Sequence, residues 1–309
     1  MIINEEQYPW LATPTTSSSE IEINRARAAL QNHGAAIFPN FITIDAINEI
    51  VKEMSSGSAK LEDQAYTTNT THTPYLRDIN SIKYPSNSIY NHKTHTIVAS
   101  TAYDELSNNS ILKQLYNDPR LLHMVSSIVN GNNNQEEDND NSNKLYLSND
   151  PLGCCSVNVF RPDYYHGFHY DESEFSVTLM IQDASDKESG LFQYTDPIRT
   201  KNNNDLNLSL ERTADAFPKL FAEHENENNH DNDNPPLPPP KLHTLDFRPG
   251  TLLVLAGSKS LHRVTKVNGN RNRLVAVLTF SRRSNFCNTQ QTQKMFWGRS
   301  ISSETTDLT

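Results

Sequence analysis

The segment NVFRPDYYHGFHYDESEFSVTLMIQD, residues 158–183, decides the fold. Its first residues close an apolar run, Ser156–Phe160, and its last form a second one, Phe175–Gln182. Both are short, rich in β-branched and aromatic residues and bounded by turn formers, the pattern of strands. Between them stands His169-Tyr170-Asp171. In an extended chain residues two apart share a face, so His169 and Asp171 project together and could grip one ion.

Downstream, FRPGTLLVLAGSKSLH (247–262) predicts a strand at Thr251–Ala256 that delivers His262 to a rim, and RLVAVLTF predicts another at Arg273–Phe280. An H-x-D pair alone is a frequent coincidence. Joined by a second histidine from a neighbouring strand, it becomes a two-histidine, one-carboxylate set that leaves metal positions open, as non-haem Fe(II) oxygenases require. Arg273, eleven residues after His262, adds a guanidinium inside an apolar barrel. An unpaired buried charge there is costly, so it needs an anion, and a dicarboxylate would meet it with a bidentate fork.

Upstream the period changes. Glu20–Leu30 reads as a helix stopped near Gly34, a strand follows at Ala35–Phe38, and Asp45 is the expected cap of a second helix through Ile47, Ile50, Val51 and Met54. Residues 55–101, rich in Thr, Asn, Tyr and His, read as a long loop region, and Ser110–Val129 as helical with a break at Asp118-Pro119. Helices first and strands later predict an α+β, mainly β chain: a double-stranded β-helix (jelly roll) with N-terminal helices packed on it. One catalytic domain is expected, with a helical and loop cover at 1–130, an acidic, Asn-rich loop at 131–143, the jelly-roll core at 144–283 and a tail at 284–309. The core carries a low-complexity insertion at about 201–241, acidic and then proline-rich. It reads as a loop insertion rather than a docking site for a protein partner.

Composition narrows the classes. Of 309 residues 35% are hydrophobic, and adding the 10 glycines leaves the chain short of the roughly 45–50% usual for globular proteins. The deficit lies in the two polar tracts. With 27 basic against 37 acidic residues the net charge is −10, so the electrostatic footprint of a nucleic-acid binder is absent. No apolar run is long enough for a membrane span, and the polar start MIINEEQYPW lacks the regions of a signal peptide, so a cytoplasmic location is expected. The 3 cysteines form no disulfide framework, and Cys154-Cys155 reads as a pair of small core residues.

Taken together, residues 150–283 resemble the Fe(II)/2-oxoglutarate-dependent oxygenases, with NHGAAIFPNFI at 32–42 similar to that family's helix-to-strand entry. NVFRPDYYHGFHYDESEFSVTLMIQD, SGLFQYTDPIR and FRPGTLLVLAGSKSLHRVTKVNGNRNRLVAVLTF are similar to a branch acting on small amino acids and secondary metabolites, close to algal kainoid synthases. The resemblance implies Fe(II) as metal, 2-oxoglutarate and O2 as cosubstrates, and His169, Asp171 and His262 as ligands. It places Arg273 on the distal carboxylate of 2-oxoglutarate, with Arg271, of the same strand parity, as the alternative, and Asn158 facing the cosubstrate. It implies a small-molecule substrate met by Arg77, His166, Glu172 and Thr279; an arginine and a glutamate together would suit a zwitterionic amino acid. Arg77 reads equally as a solvated loop residue, Glu172 as a surface carboxylate and His166 as a packing residue. Asp171 stands where halogenases of the branch carry a small residue, which disfavours halogenation. Hydroxylation, desaturation and oxidative cyclisation all remain open. Two departures mark the chain: the long interval from Asp171 to His262, and Ser189-Gly190 where Gly-Gly is usual.

Overall fold

The computed structural model describes residues 1–12, 17–76, 92–130, 144–199 and 241–301. Arg77 and the two polar tracts therefore lie outside the described residues.

Helix α1 (Ser17–His33) runs longer at both ends than its apolar spacing indicates, and leads into β1 (Ala35–Phe38). Helix α2 (Ile44–Ser55) is capped by Thr43, whose hydroxyl accepts from the Ala46 N–H at 3.3 Å, so Asp45 sits in the first turn and not at the cap. There its negative charge still complements the helix N-terminus. A single turn, α3 (Leu61–Gln64), precedes β2 (Tyr66–His72) and β3 (Thr94–Thr101), which pair antiparallel in the region expected to be loop. Strand β2 is threonine-rich with no apolar residue after Tyr66, and β3 has only the short apolar stretch Ile97-Val98-Ala99, so the pair carries β-propensity without the hydrophobic period that would announce it. Helices α4 (Ile111–Tyr116) and α5 (Pro119–Val129) are separated where Asp118 caps the second and Pro119 occupies its first turn.

The remaining strands are β4 (Tyr146–Leu147), β5 (Cys155–Phe160), β6 (Tyr165–His169), β7 (Phe175–Gln182), β8 (Phe192–Thr195), β9 (Leu242–Leu245), β10 (Leu252–Leu255), β11 (His262–Val264) and β12 (Arg273–Ser281); helix α6 (Gln290–Trp297) follows. All pairings are antiparallel, in the order β1-β10-β7-β12-β5-β3-β6-β11-β8-β9, with β2 on β3 and β4 on β12. One end of β3 pairs with β5 and the other with β6, so a single strand carries the sheet from its larger half to its smaller one. The result is a mainly antiparallel double-stranded β-helix with N-terminal helices on its larger face, as the residue pattern implied.

Strand β12 shows how one sequence serves two layers. Leu274, Ala276, Leu278 and Phe280 join the cluster that packs α1, α2, α4 and α5 against the sheet. Arg273, Val275, Val277 and Thr279, alternate to them, line the barrel interior. Because both faces are covered, the strand reads as a continuous apolar run rather than an alternating one.

Candidate metal and cosubstrate site

His169 ends β6 and His262 begins β11, and the two are direct cross-strand partners. Strand register, not a loop, therefore sets their separation, with ring centroids 4.2 Å apart. Asp171 lies two residues past β6, where its N–H donates to Gly257 O at 3.0 Å. Its Oδ1 stands 3.5 Å from His169 Nε2 and 3.3 Å from His262 Nε2. The other nitrogen of each imidazole is engaged: His169 Nδ1 with Gly167 O at 2.9 Å, His262 Nδ1 with Ser260 O at 3.0 Å. Donation from Nδ1 selects the tautomer whose Nε2 lone pair is directed at the shared centre, the outer hydrogen bonding that metal-ligating histidines use. Ser176 Oγ donates to Asp171 Oδ2 at 2.7 Å and fixes the carboxylate.

Gly257 makes this approach possible, since a Cβ there would lie 2.0 Å from Asp171 Oδ2. Burial alone would raise the Asp171 carboxyl, but the His262 and His169 imidazoles outweigh it and hold the group well below the usual carboxylate range. Burial, reinforced by His262, pushes His169 down; burial also opposes protonation of His262, yet Asp171 overcomes it and raises His262. The donor set is two imidazole nitrogens and one carboxylate oxygen, fitted to a divalent first-row metal.

Arg273 enters the same cavity from β12. It is 1% exposed, and none of its three guanidinium nitrogens has a hydrogen-bond partner among the described residues. Its charge rests on the faces of Phe160 and Phe247, 5.3 and 5.9 Å from their centroids. Burial brings its pKa down to about 9, which leaves it cationic at neutral pH. Gly190, at φ +61°, lets the chain turn past this side chain; a Cβ there would stand 2.9 Å from Arg273 Cδ, so Ser189-Gly190 keeps the one glycine the site needs. Arg271 behaves differently. It is paired with Asp183 at the surface and donates to the Asp183 and Ala184 carbonyls, outside this cavity.

The other residues singled out in the sequence divide between wall and rim. Asn158 lines the cavity, and its Oδ1 accepts from Ser100 Oγ at 2.9 Å, which leaves the amide N–H groups to a ligand. His166 is buried with its ring centroid 3.7 Å from that of His169. Strict alternation would put residues three apart on opposite faces. Here the register slips, His169 opposing His262 and His166 opposing Val264, and this bulge brings both rings to the interior. Burial, with the His169 and His72 rings adding to it, keeps His166 neutral by pushing its pKa well below the ordinary value. Thr279 lines the cavity while its hydroxyl donates to Gly153 O at 3.0 Å. Glu172 lies at the rim and accepts from the Thr289 hydroxyl at 3.0 Å, which ties the residue after Asp171 to the N-cap of α6.

Helix α6 is the part of the site that local pattern missed. The segment read as a tail supplies Thr292, Phe296 and Trp297 to the cavity wall. It is anchored by the buried Asp150, which accepts from Gln293 Nε2 at 3.0 Å and Asn288 Nδ2 at 2.7 Å. These contacts bridge more than a hundred residues, and no motif within 284–309 signals them.

The mainly antiparallel double-stranded β-helix with N-terminal helices matches the folds of 2-oxoglutarate-dependent oxygenases. Among solved structures, the non-haem, alpha-ketoglutarate-dependent epimerase SnoN from nogalamycin biosynthesis aligns with a TM-score of 0.50 at 10% identity, over 84% of this chain and 83% of its own. A 2OG-Fe(II) oxygenase-family oxidoreductase from Burkholderia pseudomallei aligns at 0.44 and 14% identity, covering 84% and 91%, and a Pseudomonas putida prolyl-4-hydroxylase at 0.45 and 12%, covering 85% and 100%. At these identities the likeness is one of fold. No protein-family model and no curated protein matches the chain. No helix among the described residues is long and apolar enough to cross a membrane.

Proposed function

We propose that the protein is an Fe(II)/2-oxoglutarate-dependent oxygenase acting on a small carboxylate-bearing metabolite, an amino acid or N-alkylated amino acid. The observation that carries this reading is Arg273: a buried guanidinium, without a hydrogen-bond partner among the described residues, in the same cavity as His169, Asp171 and His262. A cation so placed is stable only with an anion, and a dicarboxylate that also reaches the metal set meets both demands.

In this reading His169, Asp171 and His262 hold Fe(II), and Arg273 receives the distal carboxylate of 2-oxoglutarate, assisted by the Asn158 amide. Bound iron and cosubstrate supply oxidative decarboxylation of 2-oxoglutarate with O2, coupled to removal of a substrate hydrogen. The chain's own work is positioning. Ser176 and the two backbone carbonyls orient the ligands, and Phe160, Phe247 and Phe192 keep the cosubstrate end apolar. His166 and Thr279 form the wall toward substrate, with Glu172 at its rim and Arg77 proposed from the resemblance. Positioning decides between hydroxylation and desaturation or ring closure, because all begin with the same hydrogen removal.

The test is succinate formation by anaerobically iron-loaded protein given O2 and 2-oxoglutarate, against pools of amino acids and N-alkylated amino acids. Stimulation by one pool, abolished in Asp171→Ala and His262→Ala, supports the reading. Binding of iron and 2-oxoglutarate without stimulation by any pool removes the substrate class but keeps the reaction class. Failure to bind either removes both.

A further inference from the structure

A second group of metal-competent side chains lies apart from the first and shares no residue with it. His33 is the last residue of α1, Asp196 follows β8 and His243 sits in β9. Asp196 Oδ1 stands 3.3 Å from His33 Nδ1 and 2.8 Å from His243 Nε2, and one ligand atom from each residue falls within 4.8 Å of the others. Donors about 2.0–2.1 Å from one ion are spaced by roughly 3.0–3.4 Å, so the two short separations are within a few tenths of coordination edges. The His–His separation, no more than 4.8 Å, can close through His33, whose side chain is 56% exposed and has room to adjust. His243 is held in place, stacked on Tyr194 with centroids 5.0 Å apart.

An independent feature favours a cation at this point. His33 occupies the last turn of a 17-residue helix, where unpaired carbonyls concentrate partial negative charge. Two imidazoles and a carboxylate are the ligand types of a borderline divalent ion, with remaining positions left to water. We propose that His33, Asp196 and His243 form a second metal site, selective for Zn2+-like ions, which ties the end of α1 to the chain on both sides of the 200–240 segment. Ion binding there is structural: Asp196 precedes that segment and His243 follows it, so one ion fastens three stretches of backbone.

Zinc titration of the full chain, stripped by chelator and read by competition with a chromophoric chelator and by metal analysis after desalting, tests this. Two zinc ions per chain are expected in the unaltered protein. His169→Ala/His262→Ala should retain one, and His243→Ala in the unaltered background should also retain one. The half-exposed His33→Gln keeps the fold and should weaken the second zinc by more than the roughly 10–100-fold that an outer-sphere partner is worth. The proposal is overturned if His33→Gln and His243→Ala bind zinc as the parent does, if His169→Ala/His262→Ala binds none, or if the second ion disappears only in His224→Gln/His230→Gln.

Discussion

Arg273 is the residue whose cost is most visible. A guanidinium 1% exposed and without a hydrogen-bonding partner destabilises the ligand-free protein. Even a buried ion pair, when replaced by apolar side chains of similar volume, often leaves a protein more stable by about 1–4 kcal/mol, and Arg273 has no ion-pair partner among the described residues to offset its burial. Arg273→Met should therefore raise the melting temperature of the ligand-free protein by about 2 °C or more while abolishing the further rise that 2-oxoglutarate gives. Thermal melts with and without 2-oxoglutarate check both halves; a lower melting temperature in the variant would count against the strain argument. The His169, Asp171 and His262 set makes a second prediction, one of pH. In the metal-free protein the raised pKa of His262 contributes stability that is complete below the ordinary histidine value of about 6.5 and is lost as pH rises through the raised one. Asp171, depressed, contributes above the ordinary carboxylate range and loses that contribution only as pH falls well below it. A metal needs His262 unprotonated, and the pKa of that residue is raised, so metal binding should be accompanied by proton release and tighten as pH rises. Calorimetry in two buffers of different ionisation enthalpy measures that release, and its absence would place the neutral form of His262 in the metal-free state. These residues were legible because each sits in or beside a strongly patterned strand. Gly257 and Ser176 were not, since their meaning lies in an approach to Asp171 across the barrel.

At the scale of elements, legibility followed hydrophobic period. Strands β5, β7, β10 and β12 and helices α2, α4 and α5 bury a continuous apolar face and were readable to within a residue or two. The β2–β3 pair was not, because its only apolar stretch, Ile97-Val98-Ala99, is too short to set a period among threonines. Helix α6 was invisible for another reason. It has a capping threonine and an amphipathic spacing, but its importance comes from Asp150 and Glu172, partners 143 and 117 residues away. The Glu172–Thr289 contact couples this helix to the chain immediately after Asp171, which predicts a separable defect. Thr289→Val removes both that contact and the cap, whose loss costs about 1 kcal/mol of helix stability. Cosubstrate binding should be unchanged and the KM for the organic substrate raised severalfold. Parallel titrations with 2-oxoglutarate and with substrate would separate the two, and equal losses in both would show α6 to be a general support rather than a substrate wall.

For the molecule as a whole, the long interval between Asp171 and His262 is absorbed at one place. Thr195 and Leu242 pair directly, so β8 and β9 close on each other at the base of the 200–240 segment. Replacing residues 201–240 by a short polar turn should leave turnover unaltered. It shortens the closing loop by about three halvings, an entropic gain on the order of 2 kcal/mol. Chemical denaturation of the shortened chain measures it, and a large loss of stability would mean that the segment packs against the barrel. The acidic surplus has its own consequence for the buried Arg273. The chain carries a net −10, yet its interior cavity ends in a buried cation with no hydrogen-bond partner among the described residues. A small dianion approaching from solvent first meets a repulsive outer field and then falls into an attractive well. Added electrolyte screens the outer field far more than the enclosed one. Capture of such a dianion thus quickens with ionic strength while its escape is little changed, so that moderate salt favours filling of the cavity, the reverse of the behaviour of an enzyme that steers its ligands in from afar.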